Sequence, residues 1–208
     1  EACSSSHYWA RKLQSLGHQV KLMAPQFVKP YVKANKNDAA DAEAICEAVT
    51  RPSMRFVGVK SVEQQTVLAT HRVRSLLVAE RTAMVNQTRG LLGEFGLIAP
   101  KGVHALRSHL PDILEDAENE LTPEMRELIT IMSDRISSIT EKLDELELKI
   151  KEGNKRNDLI SKLLSIPGIG PLTASAMVAT IGDFKEFKNG RELAAFLGVV
   201  PRQHSSGG

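Results

Sequence analysis

The chain has 208 residues, 42% hydrophobic and 25% charged, an ordinary make-up for a soluble globular protein long enough to hold one or two domains. No apolar run approaches the roughly 20 residues of a membrane span, and no signal peptide is visible. Cys3 and Cys46 form neither a disulfide framework nor a metal motif, which suits a reducing cytosol, and both are read as small buried residues.

The net charge of +2 conceals a pattern. Residues 1–50 sum to +1, residues 51–109 to +6 (9 basic, 3 acidic), residues 110–152 to −8 (5 basic, 13 acidic) and residues 153–208 to +3. Two basic segments flanking an acidic one predict two polyanion-binding parts separated by a solvated spacer.

In chain order, residues 3–16 read as a helix with Tyr8, Trp9, Leu13 and Leu16 as its apolar stripe, ended by Gly17. His18 to Met23 alternates as a short strand. Pro25 opens a small helix interrupted by Pro30. Asn35-Lys36-Asn37-Asp38-Ala39-Ala40-Asp41 leads into a further helix, with Asp38 as N-cap or first-turn residue. Asp38 and Asp41 are three apart, so both carboxylates share one face of the first turn. Two acids so close repel unless a cation sits between them, and a hard divalent ion with oxygen ligands, Mg²⁺ above all, meets that need. The alternative is plain N-terminal capping, which the helix dipole favours by itself.

Arg55 to Val59 reads as a short extended piece. From Ser61 a long helix runs to about Phe95, with Arg72, Arg74, Arg81 and Arg89 on its polar side. These are either phosphate contacts or a solvated face. Residues 121–152 carry an unbroken heptad pattern, with Ile129, Ile136, Leu143 and Ile150 at a and Met125, Met132, Ile139 and Leu146 at d. So narrow a seam wants a partner helix. Self-association through residues 121–152 is the expectation, and an intramolecular hairpin against residues 61–95 is the alternative.

A short helix then leads to Ile166-Pro167-Gly168-Ile169-Gly170-Pro171 and an Ala-rich helix containing Thr173, the pattern of a helix-hairpin-helix. Gly168, Ile169, Gly170 and the N-terminus of the second helix would offer backbone N–H groups to a phosphate without reading bases. The alternative is a Gly-Pro turn between two core helices. After a last helix, residues 191–196, come Leu197-Gly198-Val199-Val200-Pro201-Arg202-Gln203-His204-Ser205-Ser206-Gly207-Gly208. A hydroxyl there with Arg202 and His204 near it is a candidate nucleophile, or the tail is a flexible loop.

Glu1-Ala2-Cys3, Asn35 to Ala42, Ile166 to Pro171 and Leu197 to Gly207, in that order, resemble the bridge-recombinase or DEDD transposases, the insertion-sequence family one-ten. The resemblance implies an α/β plus α fold. It comprises a partial RuvC-like (RNase H-like) domain over 1–60, a basic helical region over 61–120, a coiled-coil linker over 121–152 and a helical C-terminal transposase domain over 153–208. It implies Mg²⁺ bound by Glu1, Asp38 and Asp41, with a further aspartate on a strand before Glu1, so the chain is expected to be an internal piece of a longer protein.

The family's DNA-attacking serine carries over to Ser206, with Ser205 the second choice. DNA is the implied substrate, a structured guide RNA a further partner of some members, a homo-oligomer the implied assembly and the bacterial cytoplasm the implied compartment. A Holliday-junction-resolvase-like hydrolytic nuclease fits the same acids. A non-catalytic, dimeric nucleic-acid-binding role for these 208 residues is the third reading.

Overall fold

The computed structural model describes residues 2–32 and 37–199. The elements are α1 (Ser6–Ser15), β1 (Leu22–Met23), α2 (Pro25–Val28) running into a 3-10 turn (Lys29–Tyr31), α3 (Asp38–Val49), β2 (Phe56–Val57), α4 (Val62–Glu94), α5 (Val103–Glu115), α6 (Pro123–Asn154), α7 (Asp158–Leu164), α8 (Pro171–Ile181), a second 3-10 turn (Phe184–Glu186) and α9 (Gly190–Phe196). The described chain is therefore mostly helical, with one two-stranded sheet. No described helix is long and apolar enough to cross a membrane. The elements fall into two compact units, residues 1–64 with 178–208, and residues 65–177.

In the first unit β1 and β2 pair antiparallel, Leu22 opposite Val57 and Met23 opposite Phe56. The Ala2 N–H donates to the Met23 carbonyl at 2.7 Å. Helix α1 ends as its sequence dictates: Gly17 takes φ +88°, its N–H reaches Gln14 O, and the His18 N–H reaches Leu13 O.

Its buried face is not the expected one. Tyr8, Trp9 and Leu16 are 54, 56 and 63% exposed, and Leu13 is exposed too, whereas Ala10 is buried. The reason lies in the neighbouring stripe, three and four residues apart: Arg11 Nη1 donates to Lys60 O at 2.6 Å and His7 Nδ1 accepts the Lys60 N–H at 3.2 Å. That polar tie turns the His7, Ala10 and Arg11 face inward. The unit's core is Met23, Val28, Ala44 and Ala48, flanked by half-buried Tyr31, Val32, Ile45, Val49 and Met54. Both cysteines, expected inside, are exposed.

The second unit is built on α4 and α6. Arg74 pairs with Glu147, Glu80 with Arg135, Arg81 with Thr140 and Thr88 with Met132, so the two helices run antiparallel. All four a positions, Ile129, Ile136, Leu143 and Ile150, are buried. Ile129 and Ile136 join Val85, Leu92, Leu106, Leu110, Leu121 and Ala99 in one core. Of the two expectations for this seam, the hairpin within the chain is seen, with α4 and α5 covering its first half.

Helix α5, which the sequence reading did not assign, fills the groove with Leu106 and Leu110. Arg126 of α6 fastens its C-terminal end, donating to Leu114 O at 2.6 Å and Asp116 O at 2.8 Å, a cation where orphan carbonyls concentrate.

Candidate nucleic-acid and metal site

Asn37 decides how the acid pair is used. It is the N-cap of α3: its side-chain oxygen accepts the Ala40 N–H at 2.7 Å, and its carbonyl accepts the Asp41 N–H at 3.0 Å. Asp38 and Asp41 therefore sit in the first turn without being needed as the cap. Asp38 is exposed and Asp41 half-buried, and neither carboxylate has a hydrogen-bond or ion-pair partner among the described residues. Fully buried Ala44 and Ala48 seat the same helix on the core one and two turns later.

Two unengaged carboxylates on one helical turn are hard oxygen donors of the type that suits Mg²⁺, although two alone do not complete a coordination set. Glu1, expected as a third ligand, lies outside the described residues. Among those described, no group of three or more His, Cys, Asp or Glu side chains comes together as a metal site.

The second candidate surface is the turn between α7 and α8. Asn157 caps α7 by accepting the Leu159 and Ile160 N–H groups. The turn closes with the Ile169 N–H on Ile166 O at 3.1 Å, and Gly168 adopts φ +89°, a conformation that side-chain-bearing residues rarely take. The first bond into α8 is the Ala174 N–H on Gly170 O at 2.9 Å. This leaves the N–H groups of Gly170, Leu172 and Thr173 without an acceptor among the described residues. Gly168, Gly170 and Thr173 are exposed and Ile169 is half-buried. Oriented N–H groups at the start of an 11-residue helix form a positive end suited to an oxyanion.

The four arginines of α4 divide. Arg74 sends Nε and Nη2 to Glu147 Oε1 at 3.0 and 2.6 Å. Arg89 Nε donates to Ala99 O at 3.2 Å. Arg81 Nη1 reaches Thr140 Oγ1 at 3.5 Å, and its buried Nε has no partner. Arg72 is exposed and has no partner among the described residues. The spacing that put them on one face did not show that three of the guanidinium groups are taken up within the chain. Arg202, Ser205 and Ser206 lie outside the described residues.

The sequence reading also missed a partly buried polar pair, His71 Nε2 with Ser175 Oγ at 3.1 Å. Burial, and then the Arg74 charge, hold the His71 pKa below its ordinary value.

Residues 2–96 match a family model named DEDD_Tnp_IS110 and described as a transposase, which places the acid-bearing half of the chain in that class. Residues 160–208 match a second, described as the transposase IS116/IS110/IS902 family. The chain belongs to this family of insertion-sequence transposases.

It is similar over its whole length to a "Probable family 20 transposase" of Pseudomonas aeruginosa, at 53% identity and covering 62% of that protein. A transposase for insertion sequence element IS1328 of Yersinia enterocolitica is 44% identical over the whole chain, with 61% of its own length covered. One for element IS1111A of Coxiella burnetii is also 44% identical over the whole chain, with 57% of its length covered. The chain thus spans about three-fifths of the length of these relatives. No solved structure matches it.

Proposed function

We propose that this chain is part of a DNA transposase that cuts and rejoins strands through a serine ester. The observation that carries the reading is the acid pair of α3: Asn37 has taken the capping role, so Asp38 and Asp41 remain, among the described residues, as unengaged donors on one turn of a family member. With Glu1 they would hold a divalent cation, Mg²⁺, which when bound supplies positive charge against a scissile phosphate.

Ser206, or Ser205 in its place, is the nucleophile. Its Oγ bonds to phosphorus and loses its proton to solvent, while the bond from phosphorus to a deoxyribose oxygen breaks and that oxygen leaves as a hydroxyl. The phosphoserine ester keeps the phosphodiester's energy, so a second deoxyribose hydroxyl can displace the serine and rejoin the strand without an external energy source.

The turn at 168–170 acts as a helix-hairpin-helix, with the Gly170, Leu172 and Thr173 amides on a DNA phosphate. Arg72 and Arg202 add charge from side chains, and an RNA guide, whose backbone carries the same phosphates, would be accepted by the same groups. The bacterial cytoplasm is the compartment this activity requires.

The test is a covalent adduct. A protein carrying this chain at the length of its relatives, mixed with its insertion-sequence end and Mg²⁺, should form a protein–DNA bond that survives denaturation. The bond should disappear with Ser206→Ala and with chelation of the metal. An adduct that persists in both Ser206→Ala and Ser205→Ala rules out the serine assignment. Free 5′-phosphate ends with no attached protein would instead identify a hydrolytic nuclease.

A further inference from the structure

Only three polar side chains are buried among the described residues: Thr88, Asn154 and Ser175. Thr88 is accounted for inside its own helix, where its hydroxyl donates to Met84 O at 2.8 Å. The other two converge on α8. Asn154, at the end of α6, donates from Nδ2 to Pro171 O at 2.9 Å. Ser175, one helical turn beyond Pro171, pairs its hydroxyl with His71 Nε2 of α4 at 3.1 Å. Two separate helices thus hold the first turn of α8 by polar bonds at positions where apolar side chains would also pack.

A buried polar group left unmatched is costly, whereas an apolar contact can slide, so such bonds fix one position of a helix rather than many. The turn they fix carries the amides of Gly170, Leu172 and Thr173, which have no acceptor among the described residues and whose oxyanion geometry depends on placement to a fraction of an ångström.

We propose that His71, Ser175 and Asn154 are positioning residues: a clamp of buried Ser175 and Asn154 with half-buried His71 that holds the start of α8 so that its amides meet a DNA phosphate in register. None of the three touches the phosphate. The inference rests on the phosphate reading of the turn given above.

The test uses the whole 208-residue chain, labelled with ¹⁵N and titrated with a short DNA duplex, following the Gly170, Leu172 and Thr173 amides and the affinity together. In the parent the three amides should shift. Ser175→Ala and His71→Leu should each bind about fivefold more weakly, the effect of one neutral hydrogen bond, with smaller amide shifts. The double variant should be no weaker than either single one, and His71→Gln, which keeps a polar atom toward Ser175, should restore most of the affinity. Ser175→Ala places the best helix former in α8, which protects its fold. The remaining amide spectrum reports whether each variant is native.

Parental amides that shift, combined with unchanged affinity in Ser175→Ala or additive losses in the double variant, would overturn the clamp and leave the phosphate reading standing. Parental amides that do not shift on binding would overturn the phosphate reading itself, and the clamp with it.

Discussion

His71 shows how a single side chain acquires a measurable role from its surroundings. Its imidazole is half-buried against Ser175 and lies near Arg74, which is itself held by Glu147, so the neutral form is favoured in the folded chain. In the unfolded chain the ring protonates near the ordinary value of about 6.5. The unfolded state therefore binds the extra proton first, and the stability that His71 contributes is complete above about pH 6.5 and is lost as the pH falls below it. Thermal melts of parent and His71→Gln between about pH 7.5 and 5 should converge on acidification, with the parent losing more. Equal losses in the two would show that this site does not titrate as described.

The acid pair was legible in the sequence because a three-residue spacing and a cap are local properties of the chain. The His71–Ser175 pair was not, since its members lie 104 residues apart and only tertiary packing brings them together.

Among the elements, the α4–α6 hairpin carries the clearest expectation. Ile136 is fully buried between the helices and α5, so Ile136→Ala should destabilise the second unit by about 2–5 kcal/mol in denaturant unfolding. It should leave the chain no more associated than before when sedimentation is measured, because the seam it weakens faces inward. A parental dimer that Ile136→Ala dissociates would restore the seam as an interface between copies.

The heptad pattern located α6 almost to the residue, yet a one-dimensional pattern specifies an apolar stripe without specifying what covers it. The covering element, α5, was hidden by Pro111 within its span. Its signal was present in Val103, Leu106, Leu110, Ile113 and Leu114, spaced three and four apart. The stripe of α1 failed in the opposite sense: its largest apolar side chains are open, because His7 and Arg11 bind the backbone at Lys60 from the neighbouring face.

At the scale of the molecule, the charge map changes meaning. By its charge the −8 segment reads as a spacer between two basic parts, but its long helix lies alongside the basic α4 and is bonded to it through Arg74–Glu147 and Glu80–Arg135. Much of the cationic field expected to face nucleic acid is therefore answered within the chain. Binding of a DNA duplex should still weaken with salt, by roughly one unit of slope in log K against log salt for each phosphate neutralised.

Arg72→Ala should lower that slope by about 1 without moving the melting temperature. Arg74→Ala should lower the melting temperature, since it removes two bonds to Glu147, and leave the slope unchanged. A matching loss of slope in both variants would mean that Arg74 releases Glu147 to bind DNA.

The alanines beneath α3 bear on how this chain can be altered. Ala44 and Ala48 have no accessible surface, and the helix they seat begins with Asp38 and Asp41. A graded series at Ala44, to serine and then valine, would wedge the helix outward in steps, at about 1–3 kcal/mol for the larger graft. It would carry both carboxylates outward together, changing their distance from the unit's core while leaving the two side chains and their mutual spacing intact.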